Sequence, residues 1–211
     1  MRILIAPDSF KGSLSALHAA EVMARCAEED LRGCEVDIVP MADGGEGTAE
    51  CLLNFCGGEK ITESVDNIFF EKTEASFVLL ADGTAAVETA SASGITTVEK
   101  TRLNPLKASS VGTGELIAGA AKHGAEKIIV CLGGSATNDG GMGALYALGV
   151  RFLSENGEFL APTGENTAKV KFVVTSGEFE KYKNIRFTLA CDVENPFYGK
   201  NGAAYVFAPQ K

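Results

Sequence analysis

Three observations predict an α/β fold with mostly parallel or mixed sheets. Short apolar runs of strand length, such as Lys127-Ile128-Ile129-Val130-Cys131-Leu132, alternate with segments whose apolar residues recur at helical spacing. From Lys60 to Val87 the pattern changes to period two around the turn Asp82-Gly83-Thr84, which adds an antiparallel hairpin. Several strand-like runs end in loops dense in glycine, hydroxyl and carboxylate residues, where open α/β sheets bind their ligands.

Taken in order, Ile3 to Ala6 reads as a strand. Ser13 to Leu31 reads as a helix, with Ala19, Val22, Met23 and Cys26 on one face and Ser13 or Ser15 as its cap. Glu35 to Pro40 forms a strand into the Asp43 turn, and Thr48 to Cys56 a helix stopped by Gly57-Gly58. The period-two strands Ala75 to Leu80 and Ala85 to Glu88 follow. Thr113 to His123 is a helix ended by Gly124, Ala125 to Leu132 a strand, and Gly141 to Leu148 a helix ended by Gly149. Val150 to Leu160 forms a hairpin through Glu155-Asn156-Gly157-Glu158, and Val170 to Val174 and Arg186 to Cys191 are strands with a short helix between them.

Composition narrows the function. A chain of 211 residues with 45% hydrophobic content can build one large core or two small ones. The net charge of -9, without a basic stripe, argues against nucleic acid and anionic membrane surfaces as partners. No apolar run approaches a membrane span and the start lacks the pattern of a secretory signal, so a cytoplasmic location is expected. The six cysteines contain no Cys-x-x-Cys pair, and most of them read as buried free thiols. The two histidines, His18 and His123, fall in helix-like segments, which argues against a Ser-His or Cys-His catalytic pair.

The chemistry concentrates in four strand-end loops. In Gly133-Gly134-Ser135-Ala136-Thr137-Asn138-Asp139-Gly140-Gly141, the glycines admit close approach and the side chains of Ser135, Thr137, Asn138 and Asp139 offer donors, acceptors and a carboxylate. A plain strand-to-helix connection needs fewer polar groups, so a ligand loop is favoured. Asp8-Ser9-Phe10-Lys11-Gly12-Ser13 precedes a helix start, where Lys11 would clamp a carboxylate or phosphate; a capping turn is an equal alternative. Asp43-Gly44-Gly45-Glu46-Gly47-Thr48 makes a nest-like turn for phosphate with Asp43 open to Mg²⁺, against the simpler reading of acids at a helix start. Asp192 leaves an interior strand at the sheet's carboxyl edge, ahead of Asn195-Pro196, where it orients a hydroxyl or forms an Asx turn. Val111-Gly112-Thr113-Gly114-Glu115 is the weakest motif, because it lacks the full dinucleotide fingerprint.

Together these residues resemble the bacterial-type glycerate kinase family. The stretches are Ile5 to Ala16, Pro40 to Thr48, Gly112 to Ile117, Leu132 to Gly141 and Cys191 to Pro196, spanning the chain in family order. The resemblance implies two α/β domains with a cleft between them, the second inserted into the first. Residues 1–66 would be the first part of the split domain and 67–211 the inserted one with its hairpins. It also implies ATP-dependent phosphorylation of D-glycerate, with the 2-phosphate favoured and Mg²⁺ required. The alternatives are an inactive glycerate-binding remnant, or a kinase or metal-dependent phosphatase for another small hydroxy acid. In that reading Asp192 and Lys11 are catalytic. Asp8, Ser9, Gly44, Gly45, Gly133, Gly134, Ser135, Thr137, Asn138 and Asn195 bind substrate or phosphate, and Asp43 and Asp139 hold Mg²⁺. The partners are D-glycerate and ATP, with a homo-oligomer left open. Two departures from the family pattern stand out. Val65 to Glu71 lacks the usual Gly-Pro-Leu-Gly-type turn, and family members continue beyond the position of Lys211, so the chain is expected to be an N-terminal portion.

Overall fold

A computed structural model describes residues 1–10 and 13–211; Lys11, a catalytic candidate, lies outside the described residues with Gly12. In chain order the elements are β1 (Arg2–Ile5), α1 (Ala16–Asp30), β2 (Glu35–Ile38), α2 (Thr48–Cys56), β3 (Gly58–Asp66), β4 (Lys72–Leu80), β5 (Thr84–Glu88) and α3 (Thr89–Ser93). They continue with α4 (Val111–Lys122), β6 (Lys127–Cys131), α5 (Met142–Ala147), β7 (Val150–Leu153), β8 (Phe172–Thr175), β9 (Arg186–Ala190) and α6 (Ala203–Val206). The fold is mixed α/β, with parallel and antiparallel pairs in one sheet. Among the described residues no helix is long and apolar enough to cross a membrane.

β1 and β2 pair in parallel, Ile3 opposite Val36, and form a small sheet of their own. α1 starts at Ser15, whose Oγ accepts the His18 amide at 3.2 Å, so the second of the two expected caps is the one used. Of the expected stripe Ala19 is buried, whereas Val22, Met23 and Cys26 are exposed. The buried face is completed by Ala16, Ala20 and Ala24. Two stripes are available on this helix, and the alanines allow the closer approach to the strands.

The main sheet runs β3-β4-β5-β6-β9. β3 pairs antiparallel with β4 along its whole length, from Gly58 opposite Leu80 to Asp66 opposite Lys72. β5, β6 and β9 are parallel to one another, in a register that sets Glu88, Cys131 and Ala190 in one row at the carboxyl edge. The strands alternate faces as their period of two requires. Phe77, Ala85, Val87, Ile128 and Val130 pack under Leu116, Ile117 and Ala120 of α4. Val78, Leu80, Ala86 and Ile129 face the other way, against Ala49, Leu52 and Leu53 of α2. A separate cluster of Met142, Val150 and Phe152 supports the β7–β8 pair.

Three expectations are corrected. α4 begins at Val111, so Gly112-Thr113-Gly114 lies inside the helix. There a Cβ on Gly114 would run into the Ala144 carbonyl and one on Gly112 into the Asp66 carbonyl, which makes the motif a packing surface. The turn at 154–158 forms, with the Ser154 amide on the Glu158 carbonyl at 2.9 Å, but its return is a single bridge from Leu153 to Phe159, and β7 takes β8 as its partner. All six cysteines are free as expected, yet only Cys131 is buried, and Cys26, Cys56 and Cys191 are exposed.

The segment that lacks the family's glycine turn closes by other means. Asn67 Oδ1 accepts the amides of Phe69 at 2.8 Å and Glu71 at 3.1 Å, and Arg102 bridges from Glu71 to the Phe69 ring. The chain reverses with Phe70 at φ 62, a left-handed conformation rarely adopted by a bulky side chain. Phe70→Gly is therefore expected to stabilise the protein by about 1 kcal/mol in urea unfolding. Gly114→Ala is expected to cost about 1–3 kcal/mol by the same measurement, because the α4–α5 crossing has no room for a methyl group.

Candidate functional site

Parallel pairing brings the β6 and β9 loops to the same edge, and the β2–α2 connection joins them there. The Gly133 amide donates to the Gly44 carbonyl at 3.3 Å, and the Leu132 amide to the Ala190 carbonyl at 3.1 Å. The loop after β1 is tied in through the Met41 amide on the Pro7 carbonyl at 2.9 Å. One cleft results, lined by Asp8, Ser9, Asp43, Gly45, Gly133, Gly134, Ser135, Asp192 and Asn195, among other residues. Most of the residues expected from sequence thus face one space. Asp8, Asp43 and Asp192 are all exposed there.

The Asp43–Thr48 loop is built differently from a free phosphate cradle. The Gly45 amide donates to Asp43 Oδ1 at 2.9 Å and the Gly44 amide to Thr48 Oγ1 at 3.2 Å. The start of α2 is closed by Glu88, whose Oε1 accepts the Ala49 amide at 2.8 Å. Gly44 and Gly45 therefore spend their amides within the loop expected to hold phosphate, and an acid from β5, rather than one of the loop's own, occupies the helix N-terminus. Asp43 keeps its second carboxylate oxygen for other partners.

The Gly133–Gly141 loop divides into two parts. Gly133, Gly134 and Ser135 line the cleft and are half-buried. Beyond them Ala136, Thr137 and Asp139 turn inward. Asp139 is 2% exposed, and its carboxylate accepts the Ser110 amide and hydroxyl, both at 2.8 Å, and the amides of Gly141 and Gly143, both at 3.0 Å. These donors make it the cap of α5 and its tie to α4, so it has no oxygen turned to the cleft for Mg²⁺. Thr137 and Asn138 likewise do not line the cleft. Thr137 contributes through its carbonyl, which accepts Lys211 Nζ at 2.7 Å.

Two cleft residues escaped sequence reasoning. Glu88 was hidden at the end of an alternating run, although an acid at a strand's carboxyl end is the signal that picked out Asp192. Lys211 carries no motif at all. Burial pushes the Glu88 carboxyl above the ordinary glutamate range, opposed by the amides it accepts and reinforced by the charges of Glu46 and Glu50. Beneath it, burial and the Glu88 charge push the Cys131 thiol up to about 11, which leaves it protonated and unreactive at neutral pH.

A divalent cation fits the donor chemistry in one mode. Among the described residues no group of three histidine, cysteine or acidic side chains is gathered to hold a metal. Mg²⁺ commonly takes one or two carboxylates together with substrate phosphates, and Asp8, Asp43 and Asp192 offer such hard oxygen donors along the cleft.

Comparison with known proteins returns a consistent group. The model of the glycerate kinase family matches residues 3–211. A glycerate kinase of Bacillus subtilis is 44% identical over 100% of this chain and 56% of its own length. A glycerate 2-kinase of Escherichia coli is 41% identical, again over 100% of this chain and 56% of its own. A crystal structure of a provisionally named glycerate kinase 2 from Salmonella typhimurium LT2 superposes with a TM-score of 0.85 at 40% identity, covering 100% of this chain and 56% of that one. The chain thus spans a little over half the length of these relatives.

The raised Glu88 carboxyl has a consequence for stability. The folded state holds this proton more tightly than the unfolded chain does. Its contribution is therefore full below the ordinary glutamate range and is lost as pH rises through the raised folded value. Glu88→Gln is expected to flatten that part of the profile in urea unfolding from the ordinary glutamate value of 4.5 upward. Parallel wild-type and variant curves would show that the carboxyl is not perturbed.

Proposed function

Given that the chain belongs to the glycerate kinase family, we propose that its cleft serves the transfer of the γ-phosphoryl group of ATP to a hydroxyl of D-glycerate, with the 2-phosphate favoured. The observation that carries this reading is the convergence of the loops bearing Asp8, Asp43, Gly133–Ser135 and Asp192 on one cleft. Phosphoryl transfer asks a protein for positioning and charge neutralisation more than for covalent chemistry, and such loops supply both.

In this proposal Asp192, exposed at the carboxyl end of β9, orients the reacting hydroxyl and accepts its proton. Asp8 and Ser9 meet the substrate from the β1 side, with Lys11 beside them in sequence. Asn195, whose Nδ2 donates to the Asn201 carbonyl at 3.2 Å, keeps its side-chain oxygen for the ligand. Mg²⁺ bound at Asp43, with Asp8 or Asp192, would offset phosphate charge during transfer. The division into a split first domain and an inserted second one belongs to the same proposal. Because β3 pairs with β4 throughout, the crossover into the inserted unit is drawn ahead of Gly58 rather than after residue 66.

A coupled ADP-release assay with D-glycerate, ATP and Mg²⁺ tests the reading. Asp192→Asn is expected to lower kcat by roughly 10²–10⁴-fold with a smaller change in KM for glycerate. A folded wild-type chain that neither binds D-glycerate nor releases ADP in its presence would sink it.

A further inference from the structure

At the Gly133–Ser135 end of the ligand loop stands Lys211, to which the family resemblance gives no role. Its Nζ reaches into the loop and donates to Ser135 Oγ at 2.8 Å and to the Thr137 carbonyl at 2.7 Å. An ammonium has three N–H donors, so one remains. Ser135 Oγ is used as an acceptor by the lysine, which leaves its own hydroxyl hydrogen free to donate. The Gly134 carbonyl accepts the Ile95 amide at 2.9 Å and the Ala136 amide donates to the Ser93 carbonyl at 2.8 Å, which anchors the loop to the end of α3. Among the described residues, the Gly134 and Ser135 amides find no partner within the protein. Gly134 itself takes a positive φ of 74°.

Among the described residues, the groups left over at this corner include four donors, one ammonium N–H, one hydroxyl and two amides, beside the Gly133 and Ser135 carbonyls. Among the described residues, Lys211 has no carboxylate within ion-pair distance, although the cleft around it is lined by Asp8, Asp43, Glu46, Glu50, Glu88 and Asp192. A half-buried ammonium with polar neighbours and no counter-charge is balanced when an anion arrives. Burial also pulls Lys211 below the ordinary lysine value, against the opposing charge of Asp139, as expected where the positive charge lacks a direct partner.

We propose that Lys211, Ser135 and the Gly134 and Ser135 amides form an oxyanion receptor that holds the carboxylate or phosphoryl group of the cleft's ligand. The assignment of a small hydroxy acid or its phosphate as that ligand rests on the proposed function above; the receptor itself does not. In this arrangement Lys211 touches the ligand directly, and the Thr137 carbonyl is a positioning group that aims the ammonium.

Isothermal titration of the 211-residue chain tests it, with D-glycerate, inorganic phosphate and uncharged glycerol as separate ligands. Lys211→Met is expected to weaken one or both anions by roughly tenfold to a hundredfold. Lys211→Arg should retain most of the affinity, and Ser135→Ala should give an intermediate loss. Glycerol binding should not distinguish the variants, and urea midpoints establish that each is folded. The proposal is overturned if Lys211→Met binds both anions as wild type does, or if the wild-type chain binds neither. Lys211-dependent phosphate binding without glycerate binding would sustain the receptor and count against the proposed function. Glycerate binding indifferent to Lys211 would do the reverse.

Discussion

The contact on which the rest of the site depends is the approach of Gly133 to Gly45. A Cβ on Gly133 would lie 2.5 Å from the Gly45 Cα, and one on Gly44 would lie 3.2 Å from the Ala190 carbonyl carbon and oxygen. Three loops from three strands thus meet in backbone contact, where no side chain fits between them. The β1–β2 unit is a sheet of its own, and its Asp8 and Asp43 loops belong to the same cleft as those of the main sheet because this junction is closed. Adding a side chain there would push the α2 connection away from β6 and open the cleft at its narrowest point.

Anchoring and ligand-facing duties are divided between neighbouring stretches of the same loops. Glu88, in register with Cys131 and Ala190, sits at the carboxyl row and reaches into the start of α2. A carboxylate in that position costs desolvation, which the helix amides offset only in part. Asp139 does the equivalent for α5, with four donors converging on one buried carboxylate. With the starts of α2 and α5 held by these two acids, Asp8, Asp43 and Asp192 remain exposed and uncommitted to any helix start.

The same division explains what could be read in the sequence. Strand and helix positions followed from periodicity, and the bounds of α2 were set by the Gly57-Gly58 stop. The gathering of the strand-end loops followed from the rule that parallel strands present their carboxyl ends together. The use of each acid was less legible. An Asp before Gly-Gly looks alike whether it caps a helix or waits for a metal, and Asp139 is decided by Ser110, 29 residues away. The buried face of α1 was misjudged because hydropathy favours Val22 and Met23, whereas close approach to two short strands favours alanine. Phe70 shows a third kind of gap: a turn that family comparison expects to need glycine is held by Asn67 hydrogen bonds instead.

Charge then restricts how a ligand lies in the cleft. Exposed carboxylates from the β1, β2 and β9 loops repel an anion, while Ser135 and Lys211 attract one; Lys60 and Lys100 also line the cleft. At close range, opposite charges differ by several kcal/mol even at an intermediate dielectric, so this asymmetry outweighs the weak apolar contacts a small polar ligand can make. Under the proposed function, a hydroxy acid with its anion at Lys211 would turn its hydroxyls toward the acids, which would accept hydrogen bonds from them. A second anionic group, such as a phosphate chain, meets those same acids unfavourably unless a cation stands between. In the proposed function, Mg²⁺ held at Asp8, Asp43 or Asp192 would offset that repulsion without a preformed metal cage.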